Sequence, residues 1–453
     1  MLAKFVSAIT KFFTEGHERT LLAKRNIFFS FFLRGLSILV GFLYVPITIH
    51  YLGTEDYGIW LTLSSIFIWL FSFDIGLGNG LKNKLAETTA LNNYESGKIY
   101  VSTTYALLTL IVGVIFCGFI IINYFLNWQK ILNTHFVSGI NLNLFTDLVF
   151  LLFCIQFISQ IMNVILTANH KITMVSFLNF LGQFASLVGV FLLTKFSKSS
   201  LLLLVLVSAG LPILIQIFSS IWFFSTSLKD ISPGIKYINL KHSKELLSTG
   251  LVFFLVQIGG VVLFQTDNII ISHLYGPSQV TIFNIDYKLF SALSIAFLIV
   301  INPFWTAFTD AYVKKDFIWI KGIFRKFYDN FYLVILISLF ILVLSPFFIK
   351  IWIGNSVKIS ISLSISLTVY IILYCWLFAH CFFLNGVGKI KIQLYLYVVG
   401  SILNIPLAVF LARFFGVNGV VFSNIFVMLV MSIVLYIQCN KIANQKAIGI
   451  WNA

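Results

Sequence analysis

Residues Asn26 to His50, NIFFSFFLRGLSILVGFLYVPITIH, decide the fold. As a helix rising about 1.5 Å per residue they reach about 36 Å, enough to cross a hydrocarbon core of about 30 Å. Arg34 lies eight residues in, roughly 12 Å deep, where a charge costs about 3 kcal/mol on an insertion scale and marks a functional position by default. Steps of three and four from it give Ser30, Arg34, Ser37, Gly41, Tyr44 and Thr48, a polar and small-residue stripe on a Phe/Leu/Ile/Val surface. That stripe is expected to face a polar interior. The competing reading has Arg34 snorkelling to the headgroups.

The same argument extends to the whole chain. Of 453 residues, 59% are hydrophobic and 10% charged, with a mean hydropathy of +0.99. Soluble domains carry about 25% charged residues, so that class is excluded. The apolar runs are continuous and too long for barrel strands, which alternate over about ten residues. An all-α integral membrane protein follows, with about twelve transmembrane helices running from 26–50 to 417–439 and including 57–77 and 247–272. Residues 1–24 read as an uncleaved basic amphipathic helix lying on the membrane. Spans one to six form an N-lobe over 25–224, residues 225–245 a cytoplasmic linker, spans seven to twelve a C-lobe over 246–440, and 441–453 a tail.

Charge sets the orientation. With the N-terminus inside, 22 of the 30 Lys and Arg residues fall in cytoplasmic segments, so both termini are expected in the cytoplasm. Basic loops beside anionic lipid account for the net charge of +15 and leave no need for nucleic acid. The five Cys lie inside apolar runs without paired spacing, and the His residues have no ligand spacing with them or with carboxylates. HExxH and GxSxG are absent, and the glycines of GLGNG (Gly76–Gly80) follow no strand. No catalytic residue, metal or cofactor is assigned.

The chain repeats itself weakly. LTANHK (Leu166–Lys171) resembles LNGVGK (Leu384–Lys389) at an offset that also relates Gly182 to Gly400. IHYLGTEDYGIW around Gly53 resembles ISHLYGPSQVTIF around Gly276. A six-helix period gives two parallel halves, with a substrate site expected at their interface.

The second half has its own intramembrane charges. Gly250, Gln257, Gly260, Phe264 and Asp267 share one stripe of span seven; Asn284, Lys288, Ser291, Asn302 and Thr309 share one of span eight. Across a tight hairpin Asp267 and Lys288 sit at comparable depth, which suits an ion pair. Asp286 lies about 200° around the helix from Lys288 and reads as an interfacial or helix-start residue. In span four, Gln156, Gln160, Asn163 and Thr167 either line a cavity or bond neighbouring helices. Asp74, Lys82 and Asp310 sit at inner helix ends, as solvated charges or as a cytoplasmic gate.

The run YVPITIHYLGTEDYGIWLTLSSIFIWLFSFDI (Tyr44–Ile75), continued by GLGNGLKNKLAE, resembles the start of the Wzx-type O-antigen and polysaccharide flippases. That family shares a superfamily with multidrug extruders and lipid II flippases. TDNIIISHLYG, NIDYKLF and NPFWTAFTDAYVKKD (Asn302–Asp316) resemble its second half. The resemblance implies two six-helix lobes around a central cavity. It implies transfer of an undecaprenyl-pyrophosphate-linked oligosaccharide from the inner to the outer leaflet of the bacterial inner membrane, with polymerase and chain-length regulator proteins as partners. Lipid II flippases keep cations in their cavity, and Arg34 and Lys288 fall where these are expected, flanked by Ser37, Asn284 and Ser291. Asp267 would tune Lys288 or carry a coupling proton. Two rivals remain: a cation-coupled drug extruder, which needs an anionic cavity, and a glycan polymerase. Polymerases carry a large outer loop, and the longest here, Phe125–Thr146, has only Lys130 and His135 as basic residues.

Overall fold

The computed structural model describes residues 18–68, 77–134, 141–169, 171–242, 259–263, 265–354 and 357–452. Most of the expected amphipathic segment 1–24 lies outside them, as does Asp74. Among the described residues every regular element is helical, and ten helices are long and apolar enough to cross a membrane. The chain is an all-α, multi-pass membrane protein. The stretches expected as spans two and seven run into residues outside the described set.

One compact unit comprises Met1–Leu52, Phe73–Leu126 and Asn141–Leu251. Its helices are α1 (Glu18–Leu52), α3 (Leu77–Ala90), α4 (Tyr94–Phe125), α6 (Leu142–Ser159), α7 (Ile161–Ala168), α8 (Ile172–Phe196) and α9 (Leu201–Ser225). Polar residues start two of these helices: Asn93 accepts from Ser96 N at 3.1 Å at the head of α4 and Ser200 from Leu203 N at 3.3 Å at the head of α9, satisfying N-terminal amides that hydrocarbon cannot. Helix α1 packs on α8, and α8 on α9. The expected linker is docked on this unit as three 3-10 turns between Lys229 and His242. Ser102 of α4 accepts from Gly234 N at 3.0 Å, and Thr103 from Asn239 N at 3.0 Å.

The other unit comprises Gly53–Ser72, Asn127–Ile140 and Val252–Ala453. It contains α2 (Thr54–Phe67), α5 (Trp128–Leu132), α10 (Asp267–Tyr275), α11 (Pro277–Val313), α12 (Phe317–Ile353), α13 (Ile361–Val387), α14 (Lys391–Phe415) and α15 (Val417–Ala443). Chain order placed α2 and α5 in the lobe 25–224; specific contacts draw them here instead. Thr281 donates to Thr54 O at 2.6 Å, Asn268 to Ser65 Oγ at 2.6 Å, and Ser272 to Leu132 O at 3.1 Å. Gly58 brings the α2 backbone against Pro277 so closely that a Cβ there would lie 1.8 Å from the Pro277 carbonyl oxygen.

The suspected repeat has matching local geometry. Gly53 (φ 83°, ψ 175°) and Gly276 (φ 86°, ψ 165°) adopt the same positive-φ conformation, each just before a helix, where only glycine escapes the Cβ penalty. Lys171 N donates to Leu166 O at 2.8 Å and Lys389 N to Leu384 O at 3.0 Å, the same helix-ending bond in both halves. Gly182 lets α8 approach Pro212 of α9, and Gly400 lets α14 approach Val427 of α15.

Candidate functional site

In the first unit the candidate residue is Arg34. Phe32, Leu39 and Leu43 are 56%, 60% and 56% exposed and form the lipid-facing stripe of α1. At about 100° per residue, Arg34 lies about 140–180° from all three. It shares its face, within about 40°, with Val45, Thr48 and Leu52, which are buried against the unit. Arg34 is nevertheless exposed. The guanidinium has no carboxylate partner among the described residues. Ser37 is half-buried on the same side. Further along the stripe, the Thr48 hydroxyl donates to Tyr44 O at 2.7 Å, and the Tyr44 hydroxyl is buried with no hydrogen-bond partner among the described residues.

In the second unit the polar stripe of α11 is half-exposed: Asn284, Lys288 and Ser291 are partly buried and Asn302 and Thr309 exposed. Asn284 donates to Asn268 Oδ1 at 2.7 Å and Asn268 to Ser65, giving a polar seam from α2 through α10 to α11. Ser291 donates to Lys288 O at 3.1 Å. The Lys288 ammonium, one turn from Asn284, has no carboxylate partner among the described residues.

The expected Asp267–Lys288 pair is not formed. Asp267 is buried and turned the other way; its Oδ2 accepts from Asn424 Nδ2 at 2.7 Å, and Asn424 Oδ1 accepts from Asn404 at 2.9 Å. The reading of Asp286 as interfacial is also overturned. It is 0% exposed and accepts from the Ser364 hydroxyl at 2.9 Å, between α11 and α13. The reason is its angular offset from Lys288: when the stripe of Asn284, Lys288 and Ser291 faces outward, the Asp286–Phe290 face must turn into the core. Asp267 Oδ1, Asp286 Oδ1 and Asn404 Oδ1 are all buried without a hydrogen-bond partner among the described residues.

Asn404, Asn424 and Ser364 were missed by the sequence reading. The first two carried a signal, a carboxamide deep inside an apolar span, where a polar group without a partner is costly. Replacing Asn424 by Ala removes the one side-chain donor to Asp267 among the described residues. Leaving a buried acceptor unmet costs about 1–3 kcal/mol, more for a charged group, so the thermal unfolding midpoint in detergent should fall. Asn404→Ala should lower it less, because Asn404 reaches Asp267 only through Asn424. Equal midpoints for both variants and the parent would remove this account.

The remaining candidates separate cleanly. Asp310 is exposed and pairs with Lys314 at 2.8 Å within its own helix end, an arrangement that contributes little to stability. Lys82 is exposed on α3, and Asp74 lies outside the described residues. Of the span-four polar residues, Asn163 bonds neighbouring helices: Gln216 of α9 donates to Asn163 Oδ1 at 3.3 Å and to Asn179 Oδ1 of α8 at 3.4 Å.

Comparison with known proteins agrees with this architecture. Residues 23–308 match the family model described as polysaccharide biosynthesis protein. A protein of Yersinia pseudotuberculosis named putative O-antigen export protein is 25% identical over 379 residues, covering 79% of this chain and 82% of that one. A putative O-antigen transporter of Salmonella typhimurium is 23% identical over 283 residues, covering 59% of this chain and 61% of that one. An inward-facing multidrug resistance transporter of the MATE family and MOP superfamily superposes with a TM-score of 0.70 at 15% identity, covering 90% of this chain and 95% of that one. That likeness is one of fold.

Proposed function

Because this chain belongs to the polysaccharide biosynthesis protein family, we propose that it is a flippase. Its cargo would be an undecaprenyl-pyrophosphate-linked oligosaccharide repeat unit, carried from the inner to the outer leaflet of the bacterial inner membrane by alternating access. The observation that carries this reading is that each unit sets one cation, Arg34 or Lys288, on a polar side of a membrane helix without a carboxylate partner among the described residues. An oligosaccharide cannot cross hydrocarbon alone, since each hydroxyl stripped of water costs a few kcal/mol. A pyrophosphate needs counter-charge, and one cation at about 4 Å supplies roughly 4 kcal/mol at an effective dielectric of 20. Asn284, Ser291 and Ser37, beside these cations, are the sugar-side donors and acceptors. Asp267, held by Asn424 rather than by Lys288, is the candidate for carrying a coupling ion. A polymerase and a chain-length regulator would take the flipped unit.

Deleting the gene should accumulate lipid-linked units on the inner leaflet and abolish surface glycan, with both reversed by complementation. Units flipped but left unpolymerised would instead identify a polymerase, and altered drug sensitivity with normal glycan an extruder. The second unit's two buried carboxylates speak against the extruder: Asp267 and Asp286 are turned into its interior and bonded by Asn424 and Ser364, not displayed on the Lys288 stripe.

A further inference from the structure

The second unit contains an apolar slot of about 230 Å³ between α11, α12 and α13. Its walls are Phe297, Phe304 and Phe308 of α11 with Phe324 and Phe327 of α12, and Lys326 stands at its rim. The floor is a fixed aromatic cluster. Phe308 stacks on Phe324 with centroids 5.8 Å apart, and both meet Phe383 of α13 edge-on at 5.0 Å, a preferred geometry for aromatic pairs. The mouth carries Val300, 66% exposed.

The level of the slot follows from α12. Charges on that helix stop at Asp329 and resume at Lys350. The uncharged run 330–349 is about 30 Å long, matching the hydrocarbon thickness of about 30 Å. Lys326, four residues before that run, therefore sits about 6 Å beyond its edge, level with lipid phosphates. Its neighbour Arg325 lies 3.8 Å from Asp329, whereas the Lys326 ammonium has no carboxylate partner among the described residues.

We infer that this slot holds the phosphate-proximal isoprene units of a polyprenyl phosphate, with Lys326 against the phosphate. The inference rests on the flippase reading and adds to it a place for the carrier lipid, distinct from Arg34 and Lys288. In a polyprenyl phosphate a single branched chain is joined directly to the phosphate. A narrow aromatic slot with one cation at its lip complements that connection. A phosphoglyceride has two chains, each held away from its phosphate by glycerol, so it cannot fill the slot and reach the cation in the same way. Phe faces suit branched methyl groups, and a seat for one end leaves the rest of the chain in lipid.

The test is binding of undecaprenyl phosphate to the purified full-length protein, read by native mass spectrometry, with phosphatidylglycerol as competitor. Val300→Trp, which closes the mouth from an exposed position, and Lys326→Gln should each weaken retention at least tenfold with unchanged unfolding midpoints. Equal retention by both variants, or equal displacement by phosphatidylglycerol, would overturn the assignment. The flippase reading is scored separately by the deletion: a strain that loses surface glycan while the variants bind normally removes the slot alone. Retention that depends on both residues in a protein whose deletion leaves glycan intact upholds the slot and removes the flippase.

Discussion

Replacing Arg34 with alanine should abolish surface glycan display while leaving the amount of protein in the membrane unchanged. Two observations separate function from folding here. Arg34 is exposed and has no carboxylate partner among the described residues, so no ion pair among them is lost when it goes. It also sits opposite Phe32, Leu39 and Leu43, the lipid-facing stripe, so it is not placed as a lipid anchor. If it meets a phosphate at about 4 Å, its removal costs about 4 kcal/mol, or nearly three orders of magnitude in binding at about 1.4 kcal/mol per tenfold. Arg34→Lys should restore part of the display, because the charge is kept while the two-pronged donor is lost. Display is read by glycan staining of intact cells and protein amount by immunoblot of membranes. Normal display in the alanine variant would remove Arg34 from the substrate path.

What the sequence revealed, and what it hid, divides along one physical line. Helical spacing placed Arg34, Ser37 and Thr48 on one side of α1 and Asn284, Lys288 and Ser291 on one side of α11, because angular position along a single helix needs no knowledge of its neighbours. Partners across helices do need it. Asp267 and Lys288 looked matched in depth, yet depth does not say which way each side chain turns, and Asp267 turns to Asn424. Asp286 was given an interfacial place although its offset of about 200° from Lys288 already required the opposite face to be buried. The boundary of the first lobe was drawn by chain order; α2 crosses it because Gly58 and Thr54 are shaped for α11. Repeat signals survived best where backbone geometry demands them, as at Gly53 and Gly276.

Gly58→Val should be among the most damaging single substitutions in the chain. A Cβ at residue 58 would lie 1.8 Å from Pro277 O and 2.4 Å from its carbonyl carbon, and both are backbone atoms that no rotamer change can move. Overpacking a close-packed site costs typically about 1–3 kcal/mol, more when the obstacle cannot yield. The damage would reach the site. Helix α2 lies on the start of α11, where Thr281 bonds Thr54 O and the Ser65–Asn268–Asn284 seam sets the turn preceding Lys288. Forcing the two backbones apart should loosen that seam, so glycan display should fall together with the unfolding midpoint. Gly58→Ala should show the same effects in milder form, since its one added carbon meets the same oxygen but no further methyl groups follow it. By contrast, Gly113→Ala, on α4 with nothing within 4 Å of the added carbon, should behave as the parent does. A Gly58→Val protein with the parent's midpoint and full display would mean that α2 and α11 do not approach as closely as the fold requires, and the polar seam leading to Lys288 would lose its support.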